Sequence, residues 1–161
     1  MAKDIITVKQ PESLSSKAYL WLGLFFSVFI WSGMEPKDRL TWVLEAGPAI
    51  IGLWVMAKTR MSFPLTPLLY FWVLLHCIVL MVGAKYTYAE VPLFDWISEF
   101  FGWERNNYDK VGHLMQGFVP ALIAREILLR KKVEQNPKDR LTWVLEAGPA
   151  IIGLWVMAKT R

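Results

Sequence analysis

Between Leu40 and Ala57 the chain reads LTWVLEAGPAIIGLWVMA, an apolar run of membrane length with one acid, Glu45, near its start. At about 1.5 Å of rise per residue, a helix of this length crosses most of a hydrocarbon layer roughly 30 Å thick. Three further runs have the same character, at residues 18–34, 65–83 and 111–129. A chain built from such runs has lipid as its solvent. The composition agrees, since 55% of the residues are hydrophobic and nine Trp and nine Phe are present, too apolar for an ordinary soluble domain. The net charge of +4 does not point to nucleic acid, because the cations sit between the apolar runs rather than along one face.

The links between the runs are punctuated by residues that stop helices. Pro36-Lys37-Asp38-Arg39 introduces the second run, which therefore lies antiparallel beside the first, and Pro64 and Pro67 precede the third. The first run could also be read as a secretory signal, but it lacks a small-x-small cleavage site and another span follows almost at once. Between Lys85 and Lys110, the segment 92–103, PLFDWISEFFGW, sets Leu93, Phe94, Trp96, Ile97, Phe100, Phe101 and Trp103 broadly opposite Asp95, Ser98 and Glu99. Too short to span and rich in Trp and Phe, it reads as an amphipathic helix lying in the headgroup plane. The expected fold is all-α: a polytopic membrane helix bundle with four or five transmembrane helices and one interfacial helix.

Residues 36–60, PKDRLTWVLEAGPAIIGLWVMAKTR, recur without a change as residues 137–161. Residues 133–161 therefore read as a linker plus a duplicated span whose insertion the sequence leaves open. With four preceding spans the two copies would face opposite ways. Glu146 would enter from the cytoplasmic side, and Lys159 and Arg161 would be translocated. Natural inverted repeats are diverged and cover several spans. An unbroken copy of one span fits a recent duplication, an assembly accident or a designed sequence.

Lys and Arg near the span ends give ten cations on the side of the amino tail, from Lys3, Lys9 and Lys17 through Lys58 and Arg60 to Arg130, Lys131, Lys132, Lys138 and Arg140. The other side carries seven, Lys37, Arg39, Lys85, Arg105, Lys110, Lys159 and Arg161, so the positive-inside rule favours a cytoplasmic amino terminus. In that orientation Glu45 lies about 7.5 Å below the outer boundary of its span. His113 and Gln116 lie two to five residues below the same boundary in the fourth, and His76 roughly 10 Å from the outer end of the third.

An ionisable residue inside a span is costly and is a functional candidate by default. His113, Gln116, Gly117 and Pro120 share one helical stripe, and Glu45, Ala49 and Gly52 another whose small residues permit close approach. Glu45 is thus expected to meet His113 or Gln116, and a Glu–His pair can exchange a proton near neutral pH, as acid–base work or proton coupling requires. The alternative is that Glu45 is protonated, or hydrogen-bonded to Gln116 and Thr41, and serves only as helix glue. His76, beside the lone Cys77, reads as structural, with no metal-ligand spacing and no cofactor motif in the chain. Arg125 and Glu126 are expected to neutralise one another, and Asp109-Lys110 to cap the fourth span.

The stretches PKDRLTWVLEAGPAIIG and YDKVGHLMQGFVPALIAREILLR, within residues 1 to about 132, resemble the YjdF-type bacterial inner-membrane proteins. The resemblance implies a multi-pass protein of the bacterial inner membrane whose activity is unassigned, and its two motifs contain Glu45, His113 and Gln116. It also implies further spans with aromatic–acidic motifs, where this chain instead carries the copied segment. Two functions compete. In one, a cluster of Glu45, His113 and Gln116 in the outer leaflet handles a small or lipid-linked envelope substrate or a proton. In the other, the chain is a non-enzymatic scaffold whose interfacial helix recruits a membrane-protein partner or a second copy, or an inactive rearranged or designed product.

Overall fold

The computed structural model describes residues 14–130. Five helices follow in order: α1 (Ser16–Gly33), α2 (Arg39–Thr59), α3 (Pro67–Tyr86), α4 (Pro92–Phe101) and α5 (Tyr108–Arg130). Among the described residues there is no strand, so the fold is all-α. The amino tail and the second copy of the repeat lie outside the described residues.

Each helix begins where the local chemistry places it. The Ser15 side chain accepts from the Ala18 amide at 3.3 Å, Asp38 from Thr41 at 2.6 Å and Thr66 from Leu69 at 3.4 Å. Each satisfies an amide that the first turn leaves without an intrahelical acceptor. Pro67 and Pro92 occupy first-turn positions, where a missing N–H costs nothing. The short α4 stops at Gly102, whose φ of +67° is freely open to glycine, and the Trp103 amide closes the end on the Ser98 carbonyl at 2.8 Å.

The hub is α3, against which α1, α2 and α5 all pack. Its buried residues, Leu69, Val73, Leu74, Cys77, Val79 and Met81, join Phe25 of α1, Ala49 of α2 and Tyr108, Met115 and Val119 of α5 in one core. Phe25 is fully buried between the Trp21 and Phe29 rings, and the Trp21 indole donates to the Tyr70 carbonyl at 2.8 Å. α2 and α3 are long and apolar enough to cross a membrane by length and composition. They differ in packing: 50% of α3's most apolar window is buried but only 11% of α2's. α2 therefore presents Leu40, Val43, Leu44, Ile51, Trp54 and Val55 outward, a face that water would not tolerate but hydrocarbon solvates well.

Short links make the long helices alternate in direction and give the bundle two ends. At the head, the Lys37 amide donates to the Lys85 carbonyl at 2.9 Å, Lys37 pairs with Glu90, and Lys85 donates to the Trp31 and Met34 carbonyls. At the foot, Glu126 accepts from the Thr66 amide at 3.0 Å and the Thr66 hydroxyl at 2.6 Å and pairs with Arg130 at 2.9 Å. Arg130, four residues on, is thus an ion-pair partner of Glu126, where the adjacent Arg125 was the one expected. Neighbouring helical side chains point about 100° apart, whereas residues four apart share a face. The expected Asp109 cap also shifts, because α5 starts at Tyr108 and the Asn106 side chain takes the Tyr108 amide at 3.0 Å.

The apolar face of α4 divides. Leu93, Trp96, Phe100 and Phe101 point away from the bundle, while Phe94 meets the Tyr108 ring edge-on at 5.1 Å. Ser98 turns inward rather than to the polar side, since its hydroxyl donates to the Arg105 carbonyl at 2.9 Å beneath the returning link. Asn106 ties the same corner by donating to the Val91 carbonyl and to Asp95.

Candidate functional site

The polar centre at the head is built around Glu45, one and a half turns into α2 and half-buried. Its partner is Tyr88, in the link after α3, whose hydroxyl donates to Oε2 at 2.9 Å. Tyr88 reaches this point through a slot made by two glycines on different helices. A Cβ at Gly83 of α3 would lie 2.6 Å from the Tyr88 Cζ, and one at Gly112 of α5 would lie 2.6 Å from its Cε1. Both distances are far inside van der Waals contact, so only glycine leaves room for the ring there. Tyr108, 5.9 Å away between ring centroids, backs Tyr88 and is itself anchored by its hydroxyl on the Val79 carbonyl at 2.9 Å.

Burial pushes the Tyr88 phenol well above the ordinary tyrosine range, and the adjacent Glu45 carboxyl pushes it the same way. Tyr88 is therefore a fixed neutral donor and no base. It orients the carboxyl and leaves Oε1 with no hydrogen bond among the described residues.

Of the residues singled out in the sequence, His113 is half-buried on α5, one residue past the glycine that receives Tyr88, and Gln116 is exposed one turn further on. No hydrogen bond joins either to Glu45 among the described residues. The physical reason is the architecture: α2 and α5 lie on α3 rather than against one another, and an aromatic ring from the link fills the space between them. Of the His113 stripe, Gly117 is buried and Pro120 exposed, so the stripe runs along the flank of the packed face formed by Gly112, Met115 and Val119. Thr41 uses its amide on Asp38 and is not bonded to Glu45 among the described residues. His76 is half-buried in mid-α3 with Nε2 buried and unbonded among the described residues, next to the buried Cys77. Among the described residues no three His, Cys, Asp or Glu side chains are grouped to hold a metal. Tyr88, Gly83 and Gly112 were not singled out. The glycine in the third run and the one in the fourth, flanking a link with an aromatic, were the available signal.

A model of predicted membrane proteins, the DUF2238 family, matches residues 17–138, which take in all five helices but for Ser16 at the start of α1. The chain belongs to the DUF2238 family. It is 50% identical over 103 residues to the inner membrane protein YjdF of Escherichia coli K12, a match covering 64% of this chain and 49% of that relative. The chain thus spans about half the length of the curated relative it matches. No solved structure matches. The resemblance read from the Glu45 and His113 motifs is borne out, and this DUF2238 member is an integral membrane protein of helical fold whose activity remains unassigned.

Proposed function

We propose that the chain is a multi-pass protein of the bacterial inner membrane, with α1, α2, α3 and α5 crossing it, α4 in the outer headgroup plane and the amino terminus in the cytoplasm. In that setting the polar site of Glu45, with His113 and Gln116 of α5, faces the outer leaflet and handles a proton or the polar end of a small or lipid-linked envelope substrate. One observation carries the reading: a carboxyl at the head is held by a neutral phenol seated in a two-glycine slot, with one oxygen left over. A carboxyl serving only as helix glue would need no such slot and would bond across to a neighbouring helix. His113, one residue past the glycine that receives Tyr88, is the imidazole this reading recruits.

The test is a strain lacking its own family member, supplied with the full chain and grown across a panel of envelope stresses. Glu45→Gln and His113→Ala, inserted at wild-type level, are each expected to reproduce the growth profile of the empty strain. Profiles indistinguishable from wild type would reduce the cluster to a packing feature. Deleting α4 while Glu45→Gln stays silent would instead favour the scaffold reading, which the outward row of Leu93, Trp96, Phe100 and Phe101 supports.

A further inference from the structure

Charge accounting around Glu45 distinguishes it from the other acids. Among the described residues the half-buried carboxyls are Glu45, Asp109 and Glu126. Asp109 pairs with Arg105 and Glu126 with Arg130, each four residues away. Glu45 has Tyr88, which is neutral. Of the cations at the same end, Lys37 pairs with Glu90, Lys85 donates to the Trp31 and Met34 carbonyls and lies over the Trp31 ring, and neither Arg39 nor Lys110 pairs with Glu45 among the described residues. The carboxyl is thus oriented by one hydrogen bond and supplied with no cation by the described chain.

The approach to the site is lateral. Glu45 is itself only half-buried, and Leu44, about 100° around α2 from it, is strongly exposed, so the carboxyl sits at the border between the packed and the lipid-facing sides of the helix. The depth is just inside the headgroup boundary, within reach of a tyrosine side chain from the link after α3. A ligand arriving there comes from the bilayer edge and meets an acceptor oxygen beside an aromatic ring. Such an oxygen suits an ammonium group, which carries a positive charge and donates to carboxylate oxygen; the flanks of the Tyr88 ring are taken by Gly83 and Gly112, so the carboxyl alone makes the contact.

We infer that Glu45 and Tyr88 form a binding site for a primary ammonium group, borne on a lipid headgroup or on a small soluble amine. Tyr88 fixes Oε2, and Oε1 receives the ammonium N–H. The inference rests on the outer-leaflet reading of this site and specifies what the site holds.

The purified full chain, in detergent, is equilibrated with equal amounts of phosphatidylethanolamine, phosphatidylglycerol and phosphatidylcholine, and the retained lipids are counted by native mass spectrometry. The wild type is expected to retain phosphatidylethanolamine roughly tenfold over the other two, the scale of one charge-assisted hydrogen bond. Glu45→Gln is expected to bring the three to parity. Displacement of the lipid by free ethanolamine assigns the site to a soluble amine, and failure to displace it assigns the site to the headgroup; both outcomes support the ammonium class. Parity in the wild type, which needs no variant to fold, overturns the inference, as does a preference that survives Glu45→Gln. If growth still depends on Glu45 while the lipid preference is absent, the ammonium assignment alone fails. If the growth dependence is also absent, the site reading fails with it.

Discussion

Tyr88 is the residue on which the site depends, because its ring occupies space that Gly83 and Gly112 leave empty. Gly112→Ala puts a methyl group 2.6 Å from a ring atom, and the ring must move. We expect a loss of about 1–3 kcal/mol, typical of overpacking, measured by unfolding of the chain in mixed micelles. Combined with Tyr88→Ala the cost should be much less than the sum, since the clash is then absent; full additivity would show that the slot is not the cause. A pH prediction follows from the same ring. The folded-state pKa of Tyr88 is raised above the unfolded value of about 10. Its contribution is therefore complete below about pH 10 and is lost as the pH climbs through the folded value. Wild-type stability should fall above about pH 10 more steeply than that of Tyr88→Phe, read by the same unfolding assay. Glu45 was legible in the sequence because an acid inside an apolar run stands out against its neighbours. Tyr88 was not, since it lies 43 residues away in an irregular link where no periodicity marks a side chain as inward.

At the scale of elements, α3 is the hub because it is apolar all round and can receive a neighbour on three sides. Its start is pinned by Thr66, which caps Leu69 and also donates to Glu126 of α5. Thr66→Ala removes both bonds and should cost about 1–2 kcal/mol in micelle unfolding, with much of that absent in a Glu126→Gln background. An unchanged cost in that background would mean that only the cap matters. The helices themselves were legible from prolines and apolar runs: Pro67 and Pro92 lie in first turns and Gly102 follows a last one. What escaped the pattern were their inner faces. In α4 the composition groups seven apolar residues, but Phe94 turns to Tyr108 and Ser98 to Arg105, contacts set by the link that returns to α5. Likewise Arg130 is an ion-pair partner of Glu126, because helical geometry favours the fourth residue over the adjacent one. On the proposed topology the outward aromatic row of α4 lies at the membrane surface. Trp96→Ser with Phe100→Ser should reduce the quenching of Trp103 by lipids brominated near the headgroup, and undiminished quenching would take α4 out of the interface.

For the whole molecule, the exposed rows of Leu, Ile, Phe and Trp along α1 and α2, the apolar hub and the family match agree on hydrocarbon as the solvent. On the proposed topology the two ends face different compartments, with Glu45, Tyr88 and α4 at one and Thr66, Glu126 and Arg130 at the other. The central claim is that the Glu45 end is the outer one. Its most direct test places single cysteines at exposed positions of the two ends, Glu104→Cys at the head and Ser62→Cys at the foot, in a Cys77→Ser background. A membrane-impermeant maleimide applied to intact spheroplasts should label residue 104 and leave residue 62 untouched until the membrane is opened. Labelling of residue 62 with protection of residue 104 would contradict the account.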